Sequence, residues 1–439
     1  MASIHKRPVA SLRNITSRTL RREFKHAARA LASVEGASSS KDTSSRAPAE
    51  VQERKSTKTL KVHPLWRETA DQSQMKDFST SSIKAASVGT AYSFSENSPN
   101  PLRIFGVPRS VEKEFNFLSK PCSVVRKATV DLVDLLDKSK DPKFSPRVVI
   151  TGAPGSGKSF LLLQAISYCT AANWIVLSIP RGIELVNCST PYTYDSRTQT
   201  FLQPTLSATL LRQLKETNHS ALTDIKLTYP FTLEKAPPGA PDVGSPLVQL
   251  IDYGIREISV ASFVLEAVLA EISSQTKYPF LLAVDDFQAL YCQSQYRSPQ
   301  FLPIEGYHLS VPRLLMEYAS GARQIQNGAL LGAVSLYHNS FRVGTELYEA
   351  LNLDLSHGKR PDAYSKRSEI LQHYSQGLQA FPTPSRLDIQ EAAGIFDVWI
   401  KDRALHTTPS DQLFLSKYCE SDGNAKEFVW RGLMSTLDS

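Results

Sequence analysis

The sequence has no CxxC pair: its five cysteines, Cys122, Cys169, Cys188, Cys292 and Cys419, are scattered over 439 residues. That spacing offers neither a zinc cluster nor a disulfide framework, and an odd set of thiols suits a reducing compartment. Long apolar runs are missing as well. The most apolar stretch, "FLLLQAISYCTAANWIVLSIP", is broken by Gln164, Ser167, Thr170 and Asn173. It reads as a buried helix followed by a buried strand, and no membrane span is expected. There is no internal repeat. A basic body is absent too: of the +7 formal charge, eight of the 50 Lys/Arg and one of the 43 Asp/Glu lie in residues 1–34, leaving 42 of each sign in the remainder. A net-charge argument for nucleic-acid binding therefore fails for the body of the chain.

What is present falls into four stretches, as expected for a chain longer than one hydrophobic core usually serves. Residues 1–34 are rich in Arg and Ser and poor in acid, with Leu12, Ile15, Leu20, Phe24 and Leu31 able to share a broad helical face. This is the composition of a mitochondrial presequence, with a basic tail as the alternative. Residues 35–101 are dominated by Ser, Thr, Lys and Ala, with one small apolar island, "VHPLW", and a local basic group of Arg54, Lys55, Lys58 and Lys61. Such a segment buries too little to offset its ordering entropy, so it reads as a disordered N-terminal extension that orders only against a partner.

Organised sequence is expected from Leu102. Helical spacing in "CSVVRKATVDLVDLLDKS" leads to an apolar strand at Val148–Thr151, and strand-like "NWIVLSIP", "PFLLAVDD" and "GALLGAVSLYH" alternate with helical segments. The alternation predicts an α/β fold, a three-layer sandwich around a mainly parallel sheet, over residues 102–344. Beyond Gly344 no apolar strand stands out, and residues 345–439 read as a small helical C-terminal domain capping the sheet.

One motif carries chemistry. Gly152, Ala153, Pro154, Gly155, Ser156, Gly157, Lys158 and Ser159 satisfy GxxxxGK[ST] between a predicted strand and a predicted helix, with Phe160 next. Glycines let backbone N–H groups converge on phosphate oxygens at a helix N-terminus. Lys158 would bridge the β- and γ-phosphates, and Ser159 would ligate Mg²⁺. A metal also needs a carboxylate at a neighbouring strand end, where "FLLAVDDFQALY" supplies Asp285. Asp286 falls where a water-activating carboxylate is expected, although its side chain is short, and an adjacent Asp pair can equally be a solvated strand end. Ser335, His338 and Asn339 follow the next strand as γ-phosphate sensors or as a simple cap, and Arg181 and Arg313 are unplaced cations. The guanine-reading NKxD signature is absent, so GTP/GDP and ATP both stay open.

With these residues assembled, the chain resembles the death-associated protein family, the P-loop GTP-binding proteins of the mitochondrial small ribosomal subunit. The resemblance rests on "FLSKPCSVVRK", "GAPGSGKSFLLLQAI", "NWIVLSIPRGIELVNCSTPYTYD", "FLQPTLSATLL", "GSPLVQLIDYGI" and "LLAVDDFQALY", in that order over residues 117–291. The ending "ESDGNAKEFVWRGLMSTL" is similar to that of the fungal members. It implies a P-loop NTPase fold and a structural subunit in the matrix, partnered by small-subunit ribosomal proteins and rRNA and lying near the large subunit. It further implies a bound purine nucleotide and Mg²⁺, with Gly152–Ser159 and Asp285 matching the family's site. Animal members carry Gly after that Asp, so Asp286 leaves hydrolysis or altered metal binding open. The competing reading is a free-standing matrix ATPase with a mechanochemical or signalling role, and a weaker one is a small-substrate kinase.

Overall fold

Five parallel strands set the architecture. The computed structural model describes residues 75–437 apart from 81–82, 96–98, 143, 234–236, 337, 354–363 and 406. Presequence, "VHPLW" island and basic group lie outside the described residues. A contact-based division of the chain gives one unit of Met1–Lys61 and a second of Val62–Ser439, and every described residue belongs to the second.

In chain order, β1 (Ala91–Ser93), α1 (Pro101–Phe105), α2 (Arg109–Phe117), β2 (Cys122–Val124) and α3 (Lys127–Lys138) precede the sheet. Then come β3 (Arg147–Thr151), α4 (Lys158–Ala171), β4 (Ile175–Ile179), a hairpin of β5 (Thr193–Asp195) and β6 (Thr200–Leu202), and three helices, α5 (Pro204–Asp224), α6 (Leu247–Arg256) and α7 (Ala261–Ser274). The chain continues through β7 (Phe280–Val284), a hairpin of β8 (Gln293–Arg297) and β9 (Pro303–Glu305), α8 (Ser310–Ser320) and β10 (Gly328–Ala333). It closes with α9 (Thr345–Ala350), α10 (Glu369–Ser375), β11 (Gln379–Pro382), α11 (Ile389–Lys401), α12 (Asp411–Glu420), α13 (Ala425–Glu427) and a π-helical turn, Phe428–Leu433. The main sheet runs β11-β3-β10-β7-β4, every pairing parallel.

Every residue of β4, β7 and β10 is buried. Side chains alternate between faces along a strand, so complete burial means that both faces are covered, the middle layer of a three-layer α/β sandwich. This accounts for the unbroken apolar sequence of these strands. At the outer edge, β4 would leave backbone groups unpaired, and Asn218 of α5 satisfies them: its side-chain oxygen accepts from the Val176 N–H (2.8 Å) and its amide donates to the Val176 carbonyl (2.9 Å). The helix is non-helical at that one residue, φ −120°, ψ 26°.

Two differences from the sequence reading stand out. Order begins before Leu102: Phe78, Ile83, Tyr92 and Phe94 are buried, Phe78 and Phe94 stack at 5.9 Å, and β1 pairs antiparallel with β2. These apolar residues show no period because the one strand among them has only three residues, and β2 supplies the pairing partner that the segment itself lacks. Beyond Gly344, β11 joins the sheet beside β3; as a largely exposed edge strand reading "QAFP" it has no need of an apolar run. The helical remainder has its own apolar cluster, which includes Leu387, Phe396, Trp399, Phe428 and Leu433.

Substituting Asn218→Ala is expected to strand buried backbone groups of Val176 and to destabilise the domain by about 2–4 kcal/mol, read from urea unfolding midpoints. A loss below about 0.5 kcal/mol, the range of ordinary surface substitutions, would show that the edge is satisfied in another way.

Candidate functional site

The glycine-rich turn occupies the six residues between the end of β3 and the start of α4. Gly155 (φ +79°) and Gly157 (φ +87°) take left-handed conformations, and a Cβ at Gly157 would lie 3.1 Å from the Arg126 guanidinium. Both positions therefore need glycine for backbone and for space. Lys158 Nζ donates to the carbonyls of Gly152 (3.0 Å) and Ala153 (2.7 Å), folding its ammonium back over the turn. Burial pulls that ammonium down to about 8, with Asp285 acting in the opposite direction. Among the described residues the buried Ser156 hydroxyl has no partner. A cation short of a counter-charge, an orphaned hydroxyl and a helix N-terminus suit a phosphate group.

Strand order decides what faces the turn. β10 lies between β3 and β7, so the exits of β3, β10, β7 and β4 gather at one end of the sheet, where open α/β sheets bind ligands. From them come the turn, Ser335 with His338, the Asp285–Asp286 pair and Arg181, all on the wall of one cavity of about 670 Å³. Asp285 is buried and hydrogen-bonded by Ser159; burial first, then the neighbouring Asp286, raise its pKa to about 7. Together with Ser159 it could hold a divalent cation whose other ligands are phosphate and water oxygens. Among the described residues no three His, Cys, Asp or Glu side chains cluster as an all-protein metal site.

Asp286 adopts φ +52° and its N–H donates to Asp285 Oδ1 (2.8 Å). Burial raises its pKa, while the nearby charges of His338 and Arg181 lower it. Arg181 also pairs with Glu184 at 2.7 Å. Arg313 pairs instead with Glu317 on α8, away from the cavity, and Asn339 is exposed and outside its wall.

Three groups escaped the sequence reading. Arg126, at the start of α3, donates through Nη1 to the Ser156 carbonyl (2.6 Å) and through Nε to Glu391 of α11 (3.0 Å). Glu391 also accepts from the Lys127 N–H (2.9 Å) and closes a capping box with Asp388. Asn424 donates to the Pro154 carbonyl (2.9 Å), and the Lys426 N–H donates to the Gly155 carbonyl (3.0 Å). The C-terminal helices thus sit directly on the glycine-rich turn. The box Asp388-x-x-Glu391 was visible in sequence as a helix start, but nothing there pointed it at Arg126.

Away from the acidic end, the cavity is walled by apolar side chains, among them Phe115, Leu118, Phe160, Ile395, Val398 and Trp399. Phe115 and Phe160 meet edge-on at 5.7 Å. A polar phosphate end joined to an apolar chamber under a helical cover is a shape suited to a nucleotide.

Comparison with known proteins gives the family. The family model for the mitochondrial ribosomal death-associated protein 3 matches residues 123–430. The chain belongs to that family. Its relatives include the small ribosomal subunit protein mS29 of Neurospora crassa, 29% identical over 327 residues, covering 72% of this chain and 69% of that protein. The protein of the same name from Schizosaccharomyces pombe is 30% identical over 264 residues, 58% of this chain and 54% of the relative. That from Mus musculus is 25% identical over 258 residues, 56% and 66%.

Two outcomes follow for the site. The ordinary pKa of an Asp is 3.8 and that of folded Asp285 is about 7, so ionising it costs more in the folded than in the unfolded chain. The penalty is absent below about pH 4, grows as pH rises and is complete above about pH 7. Asp285→Asn, without added nucleotide, is therefore expected to match the parent near pH 4 and to unfold at higher urea than the parent near pH 8; a pH-independent difference would contradict the assignment. Arg126→Met is expected to cost about 3–5 kcal/mol by leaving Glu391 buried and uncompensated, and adding Glu391→Gln should recover part of it in a double-mutant cycle.

Proposed function

We propose that this protein is a structural constituent of the mitochondrial small ribosomal subunit whose α/β domain holds a purine nucleotide, GTP/GDP or ATP, with Mg²⁺, and so supports mitochondrial translation in the matrix. Membership of a mitochondrial ribosomal family supports the ribosomal half of the reading. The observation that carries the nucleotide half is the meeting of Lys158, Ser159 and Asp285 at a turn that the C-terminal helices close from above.

In this role the residues bind and orient. Lys158 and backbone N–H groups of residues 155–159 would hold phosphate oxygens. Ser159 and Asp285 would hold the cation. The cation is the group that would neutralise phosphate charge and relieve the cost of ionised Asp285. A ligand that binds only the folded state stabilises it by mass action, about 4 kcal/mol at a thousandfold excess over Kd, without any turnover. Partners are expected among small-subunit proteins and rRNA, with the large subunit nearby; among the described residues no helix is long and apolar enough to cross a membrane.

A free-standing ATPase is the second reading, favoured by the gathering of Arg181 and His338 at Asp286. Against it, the Asp286 side chain is short and Arg181 is already paired with Glu184. Isolating the protein from mitochondrial small subunits, extracting its nucleotide and following the phosphate state decides between them. One retained nucleotide per chain without turnover is expected; steady conversion, or a protein found only in light gradient fractions at low salt, would overturn the structural reading. Lys158→Ala is expected to lose the retained nucleotide and to lower the melting temperature.

A further inference from the structure

The cavity wall contains four acids, Glu114, Asp285, Asp286 and Glu427. The Asp pair belongs to the phosphate end, and Glu427 is paired with Arg431 at 2.8 Å. Glu114 is different. It projects from α2 on the cavity wall with Lys426 nearby, and among the described residues its one hydrogen bond is from the indole N–H of Trp430 to Oε1, 2.6 Å. No partner occupies Oε2 among the described residues. The ammonium groups of Lys113 (5.8 Å) and Lys426 (5.5 Å) lie over the indole ring.

Position adds a second argument. The next residue, Phe115, meets Phe160 edge-on, two residues after Lys158, and Trp430 follows by one helical turn Lys426, whose N–H holds the Gly155 carbonyl. Glu114 therefore stands beyond the phosphate-binding turn on the side of the apolar chamber, where the nucleoside of a bound nucleotide must go. A half-buried carboxylate with a free oxygen is costly to keep unless something donates to it, and burial accordingly raises its pKa to about 7 although Lys426 and Trp430 lower it. An ionised carboxylate only accepts, and its two oxygens suit two neighbouring donors.

We propose that Glu114 determines nucleoside specificity, accepting from a pair of adjacent donors: the N1–H and 2-amino group of guanine, or the vicinal hydroxyls of ribose. The inference rests on the nucleotide reading above. It would give this chain a carboxylate reader on α2 although it lacks NKxD.

Equilibrium binding of Mg²⁺ with GDP, IDP (no 2-amino group), 2′-deoxy-GDP, ADP and 2′-deoxy-ADP to the full chain and to Glu114→Gln tests it. Guanine reading predicts that the parent prefers GDP to IDP by roughly ten- to a hundredfold, the range for a hydrogen bond to a charged group, and that the variant loses the preference. Ribose reading predicts the same pattern between each nucleotide and its 2′-deoxy form. Unchanged ratios in a variant that still binds would overturn the proposal while leaving the nucleotide site intact. Failure of the parent to bind any of the five would overturn the nucleotide reading and this one with it. Should Glu114→Gln fold poorly by circular dichroism, Glu114→Asp, which keeps the charge but withdraws it by one methylene, is expected to reduce the same ratio; an unreduced ratio there counts equally against the proposal.

Discussion

The buried guanidinium of Arg126 is the contact on which the rest of the site depends. It joins the backbone of the glycine-rich turn at Ser156 to Glu391 of the C-terminal helices, and both ends are nearly sealed from solvent. A buried ion pair is not in itself a source of stability, since desolvating two charges costs several kcal/mol each. Its effect is on specificity of arrangement: with either partner displaced, the other is left charged in a poor dielectric, so turn and helices must keep one register. The capping box that orients Glu391 and the N–H of Lys127 that it accepts complete its hydrogen bonding. Satisfaction of this kind is what lets a charge sit so deep.

Around that fixed point the turn gathers groups that are costly to bury. Among the described residues Lys158 hydrogen-bonds only to carbonyls, Asp285 is held partly protonated by burial and by its neighbour, and the Ser156 hydroxyl has no partner. Each is costly taken separately, and a phosphate with its cation would relieve them together. On the proposed function, this makes the ligand part of the domain's packing. The apolar chamber behind it is walled on one side by α2 and on the other by α11 and the turn after α13, elements more than 270 residues apart in sequence. Ligand and C-terminal helices are thus coupled through shared surfaces, and each is expected to stabilise the other by linkage.

How much of this was legible in the sequence depended on whether the signal was local. β4, β7 and β10 are buried on both faces and announce themselves as unbroken apolar runs. The glycine-rich turn is a contiguous motif in which each residue type answers a backbone or charge requirement. β11 gave no such signal, because an exposed edge strand next to β3 gains from backbone pairing more than from side-chain burial. Phe78, Tyr92 and Phe94 were hidden for a related reason: they sit in or beside a strand of only three residues, too short to show a period, and pack on one another and on Phe115. Arg126, Glu391, Asn424 and Glu114 lay furthest out of reach. Each does its work across a separation of more than 200 residues or through a backbone carbonyl, and neither leaves a pattern.

The sheet order explains why Asp286 differs in situation from Asp285 although the two are adjacent. With β10 inserted between the strands of the turn and of the acids, the exit of β10 brings Ser335 and His338 alongside the exit of β7. The two carboxylates stay close enough that Asp286, after burial, raises the pKa of Asp285. Asp285 stands by the Ser159 hydroxyl, and Asp286 faces the charges of His338 and Arg181. On the proposed function, Asp285 is therefore the carboxylate placed to hold a cation beside the glycine-rich turn.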